Sequence, residues 1–88
     1  MTDVTHQTSL STTAAALAEM WRDLLGVSQV DADDDFFEIG GTSLSAIKLL
    51  QRVEKKFGLG ALSPEALYEN PELGDMAAAI DESVGRSA

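Results

Sequence analysis

The residues best placed to do chemistry lie between Asp34 and Leu44, where the chain reads Asp-Asp-Phe-Phe-Glu-Ile-Gly-Gly-Thr-Ser-Leu. Paired glycines ahead of a helix allow positive φ and let another molecule approach the backbone closely. Ser43, two residues behind them, falls where backbone N–H groups lack intrahelical partners and the helix dipole is positive. An anion is stabilised at such a place, including a phosphodiester attached to the serine itself. A plainer role fits the same residues, with Thr42 or Ser43 as the N-cap of the helix. Locally, both readings stand.

Other chemistries fail on residue type. A serine hydrolase needs a base beside its nucleophile, and the single histidine, His6, sits far away in a Thr/Ser-rich N-terminal stretch. Asp31, Asp33, Asp34 and Asp35 imitate a calcium loop, but the required glycine is Phe36 and the closing glutamate is Thr42. A solvated acidic loop is the better account. Gly40-Gly41 lacks the lysine of a nucleotide-binding P-loop.

The elements that must position Ser43 are helical, because no stretch alternates with a strand's period. The first helix is expected from about Thr13 to Leu25, capped by Thr12 or Thr13 and stopped by Gly26, with Leu17, Met20, Trp21 and Leu24 on one face. A long connection from Val27 to Thr42 follows, and Phe36 and Phe37 are its natural anchors, with at least one ring buried. The second helix is expected to start at Ser43 or one residue later and to end near Phe57, stopped by Gly58. Ser63-Pro64 marks a short third helix reaching about Tyr68. Asn70-Pro71 repeats that signal and predicts a fourth helix, with Leu73, Met76, Ala77, Ile80 and Val84 inward and an end by Gly85. The expected fold is all-α, a small four-helix bundle of three main helices and one short one with a long first loop. Its expected division is a flexible leader over 1–11, a domain over 12–85 and a tail over 86–88.

A helical wheel separates two faces of the second helix. At about 100° per residue, Ala46, Leu49, Leu50, Val53 and Phe57 cluster as the core stripe. Leu44 falls nearly opposite, among Lys48, Gln51 and Lys55, and Ile47 also lies off the stripe, about 40° from Ser43. Packing does not need these two apolar residues. Grouped around an exposed serine, they suggest a docking patch.

The run from Asp34 to Leu44 resembles the attachment motif of phosphopantetheine-dependent carrier domains, most like the peptidyl carrier (thiolation) type. That motif reads D-x-F-F-x-x-G-G-x-S-L, and Asp34, Phe36, Phe37, Gly40, Gly41, Ser43 and Leu44 match every fixed position. The similarity continues through Ala46-Ile47-Lys48-Leu49-Leu50 and in the helix order from about Thr12 to Val84. The resemblance implies a non-catalytic tether: Ser43 carries a covalent 4'-phosphopantetheine arm from coenzyme A, with Gly41 and Thr42 beside it, and the arm holds an aminoacyl or acyl group as a thioester. It implies installation by a separate phosphopantetheinyl transferase using coenzyme A and magnesium. Loading would follow by an adenylating or ligase enzyme, and delivery to condensation, tailoring or thioesterase enzymes of nonribosomal peptide or related biosynthesis. Leu44, Ile47 and Lys48 would dock these partners, as would Leu67 and Tyr68 of the third helix. Thr42 stands where fatty acid carriers usually have aspartate. The second helix holds four basic residues against one acidic, a net +3, where fatty acid carriers are acidic. Both features favour the peptidyl type; a polyketide-type carrier and an unmodified helical interaction module are the alternatives.

Composition agrees with that class. The chain has 88 residues, enough for one domain with a modest core and too few for a deep, supported pocket. It has no cysteine, so no disulfide or thiolate site staples it. A net charge of −9 disfavours nucleic acid and anionic membrane as partners. With no long apolar run and no signal-peptide pattern, a cytoplasmic monomer is expected. The start at Met1 and the end just past the last helix suggest a free-standing protein, although a domain excised from a larger synthetase would look the same.

Overall fold

The computed structural model describes residues 11–87; the rest of the expected leader, with His6, and Ala88 lie outside the described residues. Four helices follow in order: α1 Thr12–Leu25, α2 Ser43–Phe57, α3 Pro64–Glu69 and α4 Leu73–Ser87. No strand occurs among the described residues, and the architecture is the expected all-α bundle. α1 packs against both α4 and α2, and α3 lies against α4.

Local signals explain most of the helix ends. The cap of α1 is Ser11, one residue earlier than expected, because its Oγ reaches the N–H of Ala14 at 3.1 Å. Ser11 therefore belongs to the helical unit and not to a leader. Thr13 is otherwise engaged, donating its hydroxyl to the Asp81 carboxylate of α4. Gly26 closes α1 in the left-handed region at φ 71° and sends its N–H to the Arg22 carbonyl at 2.9 Å. Ser63 caps α3, with Pro64 at its first turn.

The start of α4 departs from expectation. Asn70 closes α3, its N–H bonded to the Ala66 carbonyl, and Pro71 and Glu72 stay outside the helix. Glu72 instead forms an antiparallel bridge with Asp35, and the Pro71 carbonyl accepts the Phe36 N–H at 2.9 Å. The first N–H groups of α4 are satisfied from the long loop: Leu73 donates to the Asp34 carbonyl at 3.1 Å and Gly74 to the Ala32 carbonyl at 3.0 Å. One set of bonds thus caps a helix and fastens the loop. At its other end α4 runs through Gly85 to Ser87. A glycine costs a helix only about 1 kcal/mol relative to alanine, too little to force a stop.

The core joins all four helices to the loop. Leu17, Trp21, Phe36, Leu49, Val53, Leu67, Leu73, Met76 and Ile80 are almost fully buried. Each large side chain among them contributes roughly 1.5–3 kcal/mol of burial. Trp21 Nε1 is buried with no acceptor among the described residues, a desolvation cost its apolar contacts must offset. The wheel of α2 separates as expected, with Ala46, Leu49 and Val53 buried and Leu50 and Phe57 half-buried at the margins. Val84, expected inward, is 40% exposed. It borders a small open pocket shared with Phe57, Leu59 and Ala61.

Candidate attachment site

The loop ahead of α2 is held by aromatic packing and by its own carboxylates. Phe36 is fully buried, edge-on to Trp21 with ring centroids 5.1 Å apart. Phe37 is half-buried, edge-on to Phe36 at 5.3 Å and stacked on Tyr68 at 5.5 Å. The row of rings runs from the core to the half-exposed Tyr68 on α3. Asp34 and Asp35 are partly buried turn formers rather than purely solvated charges. Asp34 Oδ2 accepts the Asp31 N–H at 2.8 Å, and Asp35 Oδ1 accepts those of Phe37 and Glu38 at 2.8 and 3.1 Å.

Gly41 is fixed by this packing. Its N–H donates to the Phe36 carbonyl at 2.8 Å, and a Cβ on it would lie 2.5 Å from both the Phe36 ring and that carbonyl oxygen. The close approach that requires glycine here is therefore made by the protein's own loop. Gly40 has the positive φ, 117°, and turns the chain toward α2.

Three hydroxyls crowd the start of α2, and the structure gives them different work. Thr42 is the N-cap, its Oγ1 accepting the Ser45 N–H at 3.2 Å. Ser45 reciprocates, its Oγ accepting the Thr42 N–H at 2.7 Å. This is a capping box in which serine takes the place of the usual glutamate. Ser43, between them at the first helical position, is exposed, and its hydroxyl makes no hydrogen bond among the described residues. The capping box thus closes without the Ser43 hydroxyl. Its hydroxyl is left pointing to solvent at the positive end of a helix that runs to Phe57.

Around it, Leu44 is 62% and Ile47 51% exposed, and Lys48 is exposed as well. Tyr68 is on the surface, but Leu67 is fully buried in the core. Leu67 is a correction: α3 has only six residues, and its inward position is what fastens it to the bundle. Sequence reasoning missed Ser45, although the Thr-x-x-Ser spacing is a variant of the capping box. It also missed Leu59, which is 88% exposed and bracketed by Gly58 and Gly60.

A helical bundle that presents an unpaired serine at a glycine-preceded helix tip defines a tether in form. The family model described as phosphopantetheine attachment site matches residues 15–80. Tyrocidine synthase 3 of Brevibacillus parabrevis is 41% identical over 69 residues, which is 78% of this chain and 1% of that protein. A phenolphthiocerol/phthiocerol polyketide synthase polypeptide of Mycobacterium tuberculosis is 40% identical over 77 residues, 88% of this chain and 5% of that protein. The chain thus spans only a small fraction of the curated relatives it matches. Among solved structures, it superposes with a TM-score of 0.79 and 29% identity on a chain from the complex of the phosphopantetheine transferase Sfp with coenzyme A and a peptidyl carrier protein, covering 83% of this chain and 94% of that one.

The chain belongs to the phosphopantetheine attachment-site family. It is a carrier domain of the nonribosomal peptide and polyketide synthetase type, a non-catalytic tether for 4'-phosphopantetheine. The residues fit that group, since one hydroxyl is exposed and without a partner at a helix N-terminus. No helix among the described residues is long and apolar enough to cross a membrane.

Proposed function

We propose that Ser43 is the attachment residue and that the chain carries an aminoacyl or acyl group, delivering it to partner enzymes of nonribosomal peptide or related natural-product biosynthesis. The observation that carries this reading is the division of labour at the start of α2. Thr42 and Ser45 cap each other, and Ser43 is the hydroxyl left over.

When bound, the group supplies a terminal thiol on which the cargo rides as a thioester. Ser43 presents its oxygen to an incoming transferase, which uses coenzyme A and magnesium and must take up the hydroxyl proton itself. The N–H groups of the first turn of α2 would stabilise the negative charge of a phosphodiester formed on Ser43. Gly41 and Thr42 act by position: the first locks the loop on Phe36 and the second fixes where the helix begins. Leu44, Ile47 and Lys48 meet the transferase, the adenylating or ligase enzyme that loads the cargo, and the condensation, tailoring or thioesterase enzymes that receive it. Tyr68, braced against Phe37, extends that surface. The site of action is cytoplasmic, where coenzyme A is available.

A polyketide-type carrier is the second reading, supported by the 40% identity to a polyketide synthase polypeptide over 88% of the chain. The net +3 of α2 and Thr42 ahead of the serine argue against a fatty acid carrier and are compatible with either type.

The test is intact mass after incubation with coenzyme A and a broad-specificity phosphopantetheinyl transferase. The mass should rise by one phosphopantetheine unit; an unchanged mass for the folded protein would refute the proposal. Loading of the modified protein across amino acids with adenylating enzymes, and across malonyl-type acyl groups with acyltransferases, then separates the two carrier types.

A further inference from the structure

The end of α2 away from Ser43 carries a second surface. Three cations of α2, Lys48, Arg52 and Lys55, outnumber the single carboxylate, Glu54, in the lining of an open groove of about 580 Å³, which Gln51, Leu24 of α1 and Leu59 beyond the helix complete. We propose that this groove docks an acidic helix of a partner protein, with carboxylates on the cations and a leucine-sized side chain between Leu24 and Leu59.

Charge points to that occupant. The chain carries −9 overall, yet four of its six lysines and arginines lie on α2. Lys55 and Lys56 fall in the last turn of α2, where the helix dipole favours cations. Lys48 and Arg52 have no such reason, and like charges four residues apart disfavour the free helix. Arg52 meets Asp23 of α1 at 3.3 Å, but both side chains are substantially exposed and such a pair holds little. Lys48 and Lys55 make no ion pair among the described residues. Lys48, Arg52 and Lys55 follow the i, i+4, i+7 spacing of one helical face, about 10 Å long, and a second helix bearing glutamates at the same intervals matches them.

The apolar part distinguishes a protein from other anions. Leu59 is 88% exposed, above every other large hydrophobic residue described. It sits between Gly58 at φ 114° and Gly60 at φ 80°. Nucleic acid gains nothing from Leu24 and Leu59, and the net charge repels it. Lys48 borders the surface around Ser43, but Lys55 lies roughly 18 Å along α2 from the serine, so an occupant seated on Arg52, Lys55 and Leu59 leaves it uncovered. The surface does not depend on modification of Ser43.

The test is an amide chemical-shift titration of the full chain with a synthetic helical peptide carrying one stripe of leucines flanked by glutamates, and with its counterpart in which lysines replace the glutamates. The acidic peptide should shift Leu24, Arg52, Lys55 and Leu59, and added salt should weaken it. The double variant Lys55→Glu, Leu59→Ser should bind it at least about tenfold more weakly. That variant should keep its helicity and should still gain phosphopantetheine at Ser43. Equal binding of the lysine peptide, shifts centred elsewhere, or no shifts at millimolar peptide would each overturn the proposal. So would shifts of the same residues on dilution of the protein alone, which would make a second copy of this chain the occupant.

Discussion

The connection ahead of α2, residues 26–42, and the connection behind it, residues 58–63, both depend on glycine, and they use it in opposite ways. Ahead of the helix, Phe36 is buried against Trp21, Gly41 leaves no room for a Cβ, and the backbone is bonded to the first turn of α4. Behind it, a Cβ at Gly58 or Gly60 would meet nothing, and Leu59 between them is almost wholly exposed. The longer segment is fastened by backbone hydrogen bonds to the start of α4, whereas the shorter one is anchored by buried Ala61 and Leu62 and leaves Leu59 outside. The difference suits the chemistry. Under the proposed attachment at Ser43, that serine must be presented in one geometry, which the first connection supplies; the second supplies an accessible apolar side chain.

Substitutions can break this contrast. Phe36→Ala should have the largest effect, destabilising by about 3–5 kcal/mol because a fully buried ring is lost where loop, α1 and Gly41 meet. Thermal unfolding would measure it, and a cost under about 1 kcal/mol would remove the loop's anchor from the account. Gly41→Ala should cost about 1–3 kcal/mol, since the new methyl must displace Phe36. It should also slow the transferase more than the loss of stability explains, because Ser43 is displaced two residues on. Thr42→Ala should cost about 1 kcal/mol by opening the capping box, with α2 fraying from its first turn in hydrogen exchange. Leu59→Ser should be close to silent, within about 0.5 kcal/mol. Leu44→Asp should likewise preserve helicity while impairing modification; if it unfolds the protein, the exposed face of α2 has been misassigned.

Much of this was legible in sequence, for identifiable reasons. The spans of α2 and α3 follow from residues adjacent to them, such as Gly58 and Ser63-Pro64, and the wheel of α2 placed Leu44 and Ile47 outside because fifteen residues give periodicity room to show. Three features resisted. Asn70-Pro71 carries a valid start signal, but the N–H groups of α4 find their acceptors at Ala32 and Asp34, some forty residues away in sequence. Leu67 lies in a helix of six residues, too short for a period to say which face is inward. The capping partner of Thr42 proved to be Ser45, whose short side chain does what a glutamate commonly does. Local chemistry marked the neighbourhood of the site; packing and long-range hydrogen bonds decided which hydroxyl was left free.

That choice among hydroxyls is open to direct measurement by tandem mass spectrometry of the protein after treatment with coenzyme A and a phosphopantetheinyl transferase. Fragment ions should place the added mass on Ser43, with none on Thr42 or Ser45, and Ser43→Ala should abolish it while Ser45→Ala retains it. An adduct mapped to Thr42 or Ser45, or one that persists in Ser43→Ala, would contradict the account.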